Sequence, residues 1–115
     1  MSTAKSVIFS RLGGPEVLEI KDLPVAEPKA GEVRIGVHAI GLNRAEVMYR
    51  TGQYLEQPQF PSKIGIEAAG VIEALGPGVF NVRVGDKVSV ATGQSIGKYG
   101  TYGKKIITLV PIPRT

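Results

Sequence analysis

Cysteine is absent from this 115-residue chain, which excludes disulfide frameworks, thiol nucleophiles and every zinc or iron–sulfur site built on thiolates. Histidine occurs once, at His38, so an imidazole-rich metal site is excluded too. No apolar run approaches the roughly 18 residues needed to span a bilayer. The run Val7-Ile8-Phe9 near the amino terminus is far too short for the core of a signal peptide, so the expected location is the cytoplasm. Clustered basic charge is missing as well. The 14 Lys and Arg against 10 Asp and Glu leave a net charge of +4, scattered singly apart from Lys104-Lys105. Nucleic-acid binders gather such charge into a stripe or patch, so a mildly basic, solvated surface is expected instead.

Nucleotide and nucleophile signatures are also lacking. Gly97, Gly100 and Gly103 recur every three residues, which matches neither phosphate-cradling glycine pattern. A dinucleotide-binding βαβ unit needs a long amphipathic helix, and none is written here. There is no nucleophile elbow and no Ser/His/Asp set of recognisable spacing.

What the chain has is turn chemistry. Its 15 Gly and 8 Pro lie well above the average share of about 12% but below the roughly 25–30% of low-complexity chains. The length fits one domain, able to bury about two-thirds of the surface its unfolded form would expose. The expectation is a folded, turn-rich, mainly β domain.

The clearest strand is 32–40, where Val33, Ile35, Val37 and Ala39 alternate with Glu32, Arg34, Gly36 and His38. The polar face of that strand leaves His38 exposed. Pro28 and Gly31 mark the turn that leads into it. Segments 7–11 and 17–21 read as an amino-terminal hairpin around Gly13-Gly14-Pro15. A further strand at 67–75 ends in Gly76-Pro77-Gly78, which offers both positive and fixed φ. Segment 84–90 carries a Gly85-Asp86 turn, and 105–110 gives a last strand stopped by Pro111 and Pro113. Short strands at this spacing predict a barrel or sandwich.

One segment reads as helix. Asn43 and Glu46 form a variant capping box and Gly52 stands where a helix-ending glycine belongs, so two turns are expected over 44–51. Glu46 and Arg50, four apart, are placed to pair on the helix surface.

Taken in order, the segments Gly14-Pro-Glu-Val-Leu18, Pro28-x-x-Gly31-Glu-Val33, Ala39-Ile-Gly-Leu-Asn43, Arg50-Thr-Gly-Gln-Tyr54, Pro61, Gly65-Ile-Glu-Ala-Ala-Gly-Val71, Gly76-Pro-Gly-Val79, Val84-Gly-Asp-Lys-Val88 and Gly97-Lys-Tyr-Gly-Thr-Tyr102 resemble one family across all 115 residues. It is the amino-terminal GroES-like domain of the medium-chain dehydrogenase/reductases, in the zinc-independent quinone oxidoreductase branch. The resemblance implies a distorted, partly open β-barrel with one or two short helices, spanning 1–115. It also implies a partner Rossmann domain, absent from this chain, that binds NADPH or NADH, with the complete protein a homodimer. Alone, the chain is expected to be inactive. Zinc-dependent relatives carry a Cys matching Asn43, a Ser or Thr matching Ala45 and a His matching Ile66. Thiolate, relay hydroxyl and imidazole are thus all replaced, and no zinc is expected.

The same resemblance names the site. Asn43 matches an Asn at the cofactor and substrate cleft; it also caps the helix, and capping through its carbonyl leaves its NH2 free to donate. Tyr54 matches a pocket-lining Tyr that donates to a carbonyl or stacks on a quinone, or else caps the core as an amphipathic ring. Asn43 and Tyr54 are the expected catalytic pair. Glu46 stands where the family has Asp, Glu67 is expected to buttress the cleft, and Gln94 either faces the nicotinamide or points to solvent. Met48 replaces a cofactor-contacting Tyr and is expected in the core. The implied activity is hydride transfer to a quinone or enone, a small-molecule substrate, with neither nucleic acid nor membrane as partner. The competing reading is a stand-alone GroES-like module that binds or assembles without catalysis.

Overall fold

The computed structural model describes residues 2–90 and 94–110. Seven strands and one helix follow in the order β1 (Thr3–Phe9), β2 (Glu19–Pro24), β3 (Glu32–Gly41), α1 (Arg44–Arg50), β4 (Ser62–Lys63), β5 (Glu67–Leu75), β6 (Lys87–Val90) and β7 (Lys105–Leu109). They form two antiparallel sheets, β2-β1-β4 and β6-β5-β3-β7. Backbone bonds from Val7 N to Tyr102 O (2.9 Å) and Lys104 N to Lys5 O (2.9 Å) stitch the sheets along one side. Among the described residues they do not close into a full barrel, so the partly open, mainly β fold expected from the resemblance stands.

β3 lies inside the larger sheet, hydrogen-bonded along both edges to β5 and β7. Val33 and Ile35 are fully buried, and with Ile72, Val79, Val82, Val88, Val90 and Ile106 they make an aliphatic core. A second core gathers Phe9, Val17, Tyr49, Ile64, Ile66 and Ile96 under α1 and the smaller sheet. Its rings meet edge to face: Phe9 and Tyr49 at 5.6 Å and 82°, Phe9 and Phe60 at 5.6 Å and 77°.

Several expectations shift. The hairpin forms, but its strands are Thr3–Phe9 and Glu19–Pro24, because Pro15–Val17 takes a 3₁₀ turn that uses Val17 N for a bond to Gly14 O. Ala39 is exposed rather than inward, since a register shift between Val37 and Ala39 breaks the alternation. Glu32 is buried instead of solvated; Lys29 N (3.0 Å) and Tyr99 OH (2.8 Å) donate to its carboxylate. His38 is exposed, as expected, and Met48 is half-buried. The stop expected from Pro111 and Pro113 lies outside the described residues.

Candidate functional site

β3 leads directly into the site. Gly41, its last residue, is in register with Glu67, the first residue of β5, so the two strand ends bring Asn43 and Glu67 to one corner. A side chain at Gly41 would collide with the Glu67 carboxylate, which is why the carboxylate can lie across the strand end there. Glu67, Gly41, Ile40, Ala68, Ser89 and Val90 border an open depression of about 340 Å³.

Glu46 ties this corner together. One oxygen accepts from Asn43 N at 2.7 Å, the reciprocal half of the expected capping box, and the other accepts from Ile66 N at 3.2 Å. The Tyr102 hydroxyl donates to the first oxygen in a short bond. The surface ion pair expected between Glu46 and Arg50 is therefore a correction. Both residues are buried, and Arg50 Nη1 donates to Gly13 O at 2.9 Å, fastening the carboxyl end of α1 to the loop after β1. Burial, followed by the neighbouring Glu46 carboxylate, raises the Tyr102 phenol well above its ordinary pKa. It stays a neutral donor at every physiological pH.

Asn43 caps α1 with extended backbone, and Glu46 N bonds to its carbonyl at 3.1 Å. Its side-chain Nδ2 is buried and has no hydrogen-bond partner among the described residues.

The other candidates lie farther along. Tyr54 is half-buried beyond the end of α1, its ring edge-on to Tyr49 at 6.3 Å and 90°. Tyr49 is itself fixed by a 2.7 Å bond to Ser62 Oγ, and burial raises its phenol too. Gln94 is held at the other end of β3: its Oε1 accepts from Thr108 Oγ1 (2.9 Å) and Leu109 N (3.2 Å), residues in register with Val33 and Glu32. The structure thus groups Asn43, Glu46 and Glu67, sets Tyr54 at the far end of the same helix, and places Gln94 apart. Sequence reasoning missed Tyr102 and Glu56. Their partners lie about 40 to 56 residues away, beyond any local spacing rule.

No three His, Asp or Glu gather into a metal-binding group among the described residues. No helix among them is long and apolar enough to cross a membrane.

Comparison with known proteins gives a consistent picture. The family pattern "Alcohol dehydrogenase GroES-like domain" matches residues 29–108. A quinone oxidoreductase of Pseudomonas aeruginosa is 48% identical over 96 residues, covering 84% of this chain and 29% of that protein. Among solved structures, the human synaptic vesicle membrane protein VAT-1 homolog-like protein superposes with a TM-score of 0.85 at 29% identity, over 98% of this chain and 36% of that one. Escherichia coli quinone oxidoreductase complexed with NADPH gives 0.77 at 32% identity, over 93% and 33%. The chain therefore spans about a third of the length of the relatives it matches.

Proposed function

Because the chain belongs to the alcohol dehydrogenase GroES-like domain family of the medium-chain dehydrogenase/reductases, we propose that it forms the substrate side of a zinc-independent, NADPH-dependent reductase of quinones or enones. In this reading residues 1–115 are one domain of a longer protein whose second, Rossmann domain carries most of the cofactor contacts. The observation that carries the reading is Asn43 Nδ2, a buried donor without an acceptor among the described residues, two positions past Gly41, which borders an open depression.

The residues fit the nicotinamide cofactor in chemical kind. An unpartnered amide NH2 suits a carbonyl or carboxamide oxygen. When bound, NADPH supplies that hydride. Asn43 would donate to the substrate carbonyl and stabilise the negative charge that grows on its oxygen during reduction. Glu46 fixes the backbone of Asn43 from one side and of Ile66 from the other, so the donor is already oriented before substrate arrives. Tyr54 would border the pocket and stack on, or donate to, a planar conjugated ring. Asn43, Ala45 and Ile66 offer no thiolate, hydroxyl or imidazole, which suits a mechanism that acts on already conjugated carbonyls.

The test is NADPH oxidation by the full-length protein with benzoquinones and simple enones, with and without a strong chelator. Turnover that is indifferent to chelation is expected. Absence of turnover with every conjugated carbonyl, or loss on chelation with recovery on adding zinc, would refute the reading.

A further inference from the structure

Resting on the substrate-cleft reading of Tyr54, we propose that Glu56 is a positioning residue: it latches the 51–61 loop to the 95–99 turn and so sets where Tyr54 stands in the cleft.

The loop after α1 has little to hold it by burial. Gln53, Leu55, Gln57, Gln59 and Phe60 are all exposed, and Leu55 is fully so. Beneath it runs an open cleft of about 520 Å³ bordered by Tyr49, Glu56, Gln59, Ser62, Lys63 and Lys98. Across that space Glu56 reaches the far wall. Its carboxylate accepts from Ser95 Oγ at 2.6 Å, Ile96 N at 3.1 Å and Gly97 N at 3.3 Å. All three donors are neutral, and a carboxylate that accepts from neutral donors forms charge-assisted bonds, stronger than those of a neutral pair.

The receiving turn is itself firm. Tyr99 N bonds to Ser95 O (3.0 Å), Lys98 N to Ser95 Oγ (3.0 Å), and Tyr99 OH to the buried Glu32 of β3. A side chain at position 97 would collide with the Tyr49 hydroxyl and crowd the Glu56 carboxylate, so the approach requires glycine. At the loop end, Gln57 Nε2 donates to Tyr54 O at 2.7 Å, joining the residue after the latch to the backbone of Tyr54. Movement at position 56 is thereby passed to the Tyr54 ring two residues away. A shift of about 1 Å in a group that orients substrate is enough to change turnover markedly.

The experiment has two arms. In this chain, NMR follows amide exchange at Ile96 and Gly97 and the ring signals of Tyr54 in wild type, Glu56→Ala, Glu56→Gln and Ser95→Ala. In the full-length reductase, KM and kcat are measured for quinone and NADPH with the same variants. Glu56→Ala is expected to speed exchange at Ile96 and Gly97 and shift the Tyr54 ring. It is also expected to raise quinone KM about 5-fold, with kcat within about 2-fold and NADPH KM unchanged. Glu56→Gln, which keeps one accepting oxygen, recovers part of this; Ser95→Ala gives a smaller effect that does not add to that of Glu56→Ala. Unchanged exchange and ring signals in Glu56→Ala would overturn the latch. So would a lower Tm with quinone KM unaltered, because that marks a merely structural residue. Failure of the functional reading is a separate result, seen as wild-type enzyme that turns over no quinone, and the NMR arm decides the latch in that case too.

Discussion

The two cores of this domain are built on different physics. The one around β3, β5, β6 and β7 is aliphatic: Val33, Ile35, Ile72, Val88 and Ile106 interlock with no polar atom among their side chains. The one under α1 mixes rings with hydroxyls and carboxylates, where Tyr49 bonds Ser62 and Tyr102 bonds Glu46. Burial without direction suffices to hold a scaffold together. Orienting a donor such as Asn43 takes bonds with angles, and those are concentrated in the second core. A buried polar cluster of this kind contributes modestly to net stability but strongly to placement, because each unmade bond within it is costly.

The contrast is broken most severely in the aliphatic core. Ile35→Ala is expected to cost about 2–5 kcal/mol, measured by urea denaturation, since it leaves a cavity at a fully buried position while the corner at Asn43 keeps its bonds. In the polar core, Glu46→Gln should cost about 1–3 kcal/mol, because three donors lose a charged acceptor and one new NH2 faces them. Here the second readout matters: the amide signals of Asn43 and Ile66 should shift in Glu46→Gln and stay put in Ile35→Ala.

Smaller effects come from pH. The Lys29 amide, with the Tyr99 hydroxyl, holds the Glu32 carboxyl below the usual carboxylate range. Its stabilisation is present above the unfolded-state value of about 4.3 and fades as pH falls through the lower folded value. Tyr99→Phe should flatten that acid limb in Tm measurements. Tyr102 works in the opposite sense. Its phenol is raised by burial and by Glu46, so its contribution is complete below about pH 10 and is lost as pH rises through the still higher folded value. Tyr102→Phe should remove this alkaline slope from a profile of Tm against pH.

The aliphatic core was readable in the sequence because alternation is local. Val33 and Ile35 face inward by period alone, and the Asn43 start of α1 follows from capping chemistry. The polar core was not readable in the same way. The four-residue spacing of Glu46 and Arg50 predicts a surface pair, but that rule assumes solvent around the helix and knows nothing of the Ile66 amide or the Gly13 carbonyl. β4 escaped notice because two residues carry no period; it exists through its pairing with Ile8 and Phe9. The family resemblance implies Asn43, Glu46 and Glu67 as site residues, and the fold sets them at one corner. Gln94, expected from its place in the loop before Gly97 either to face the nicotinamide or to point to solvent, has its carbonyl engaged by β7.

The proposed role of the polar core is to present the Asn43 amide to a substrate carbonyl. It is tested most directly by comparing kcat/KM for quinone reduction in full-length wild type and Asn43→Ala, with Tm recorded for both. A fall of about 100-fold is expected, the scale for removing one preorganised donor, with Tm lowered only by the few degrees that loss of a helix cap costs. Equal kcat/KM in the two proteins would refute that role for Asn43.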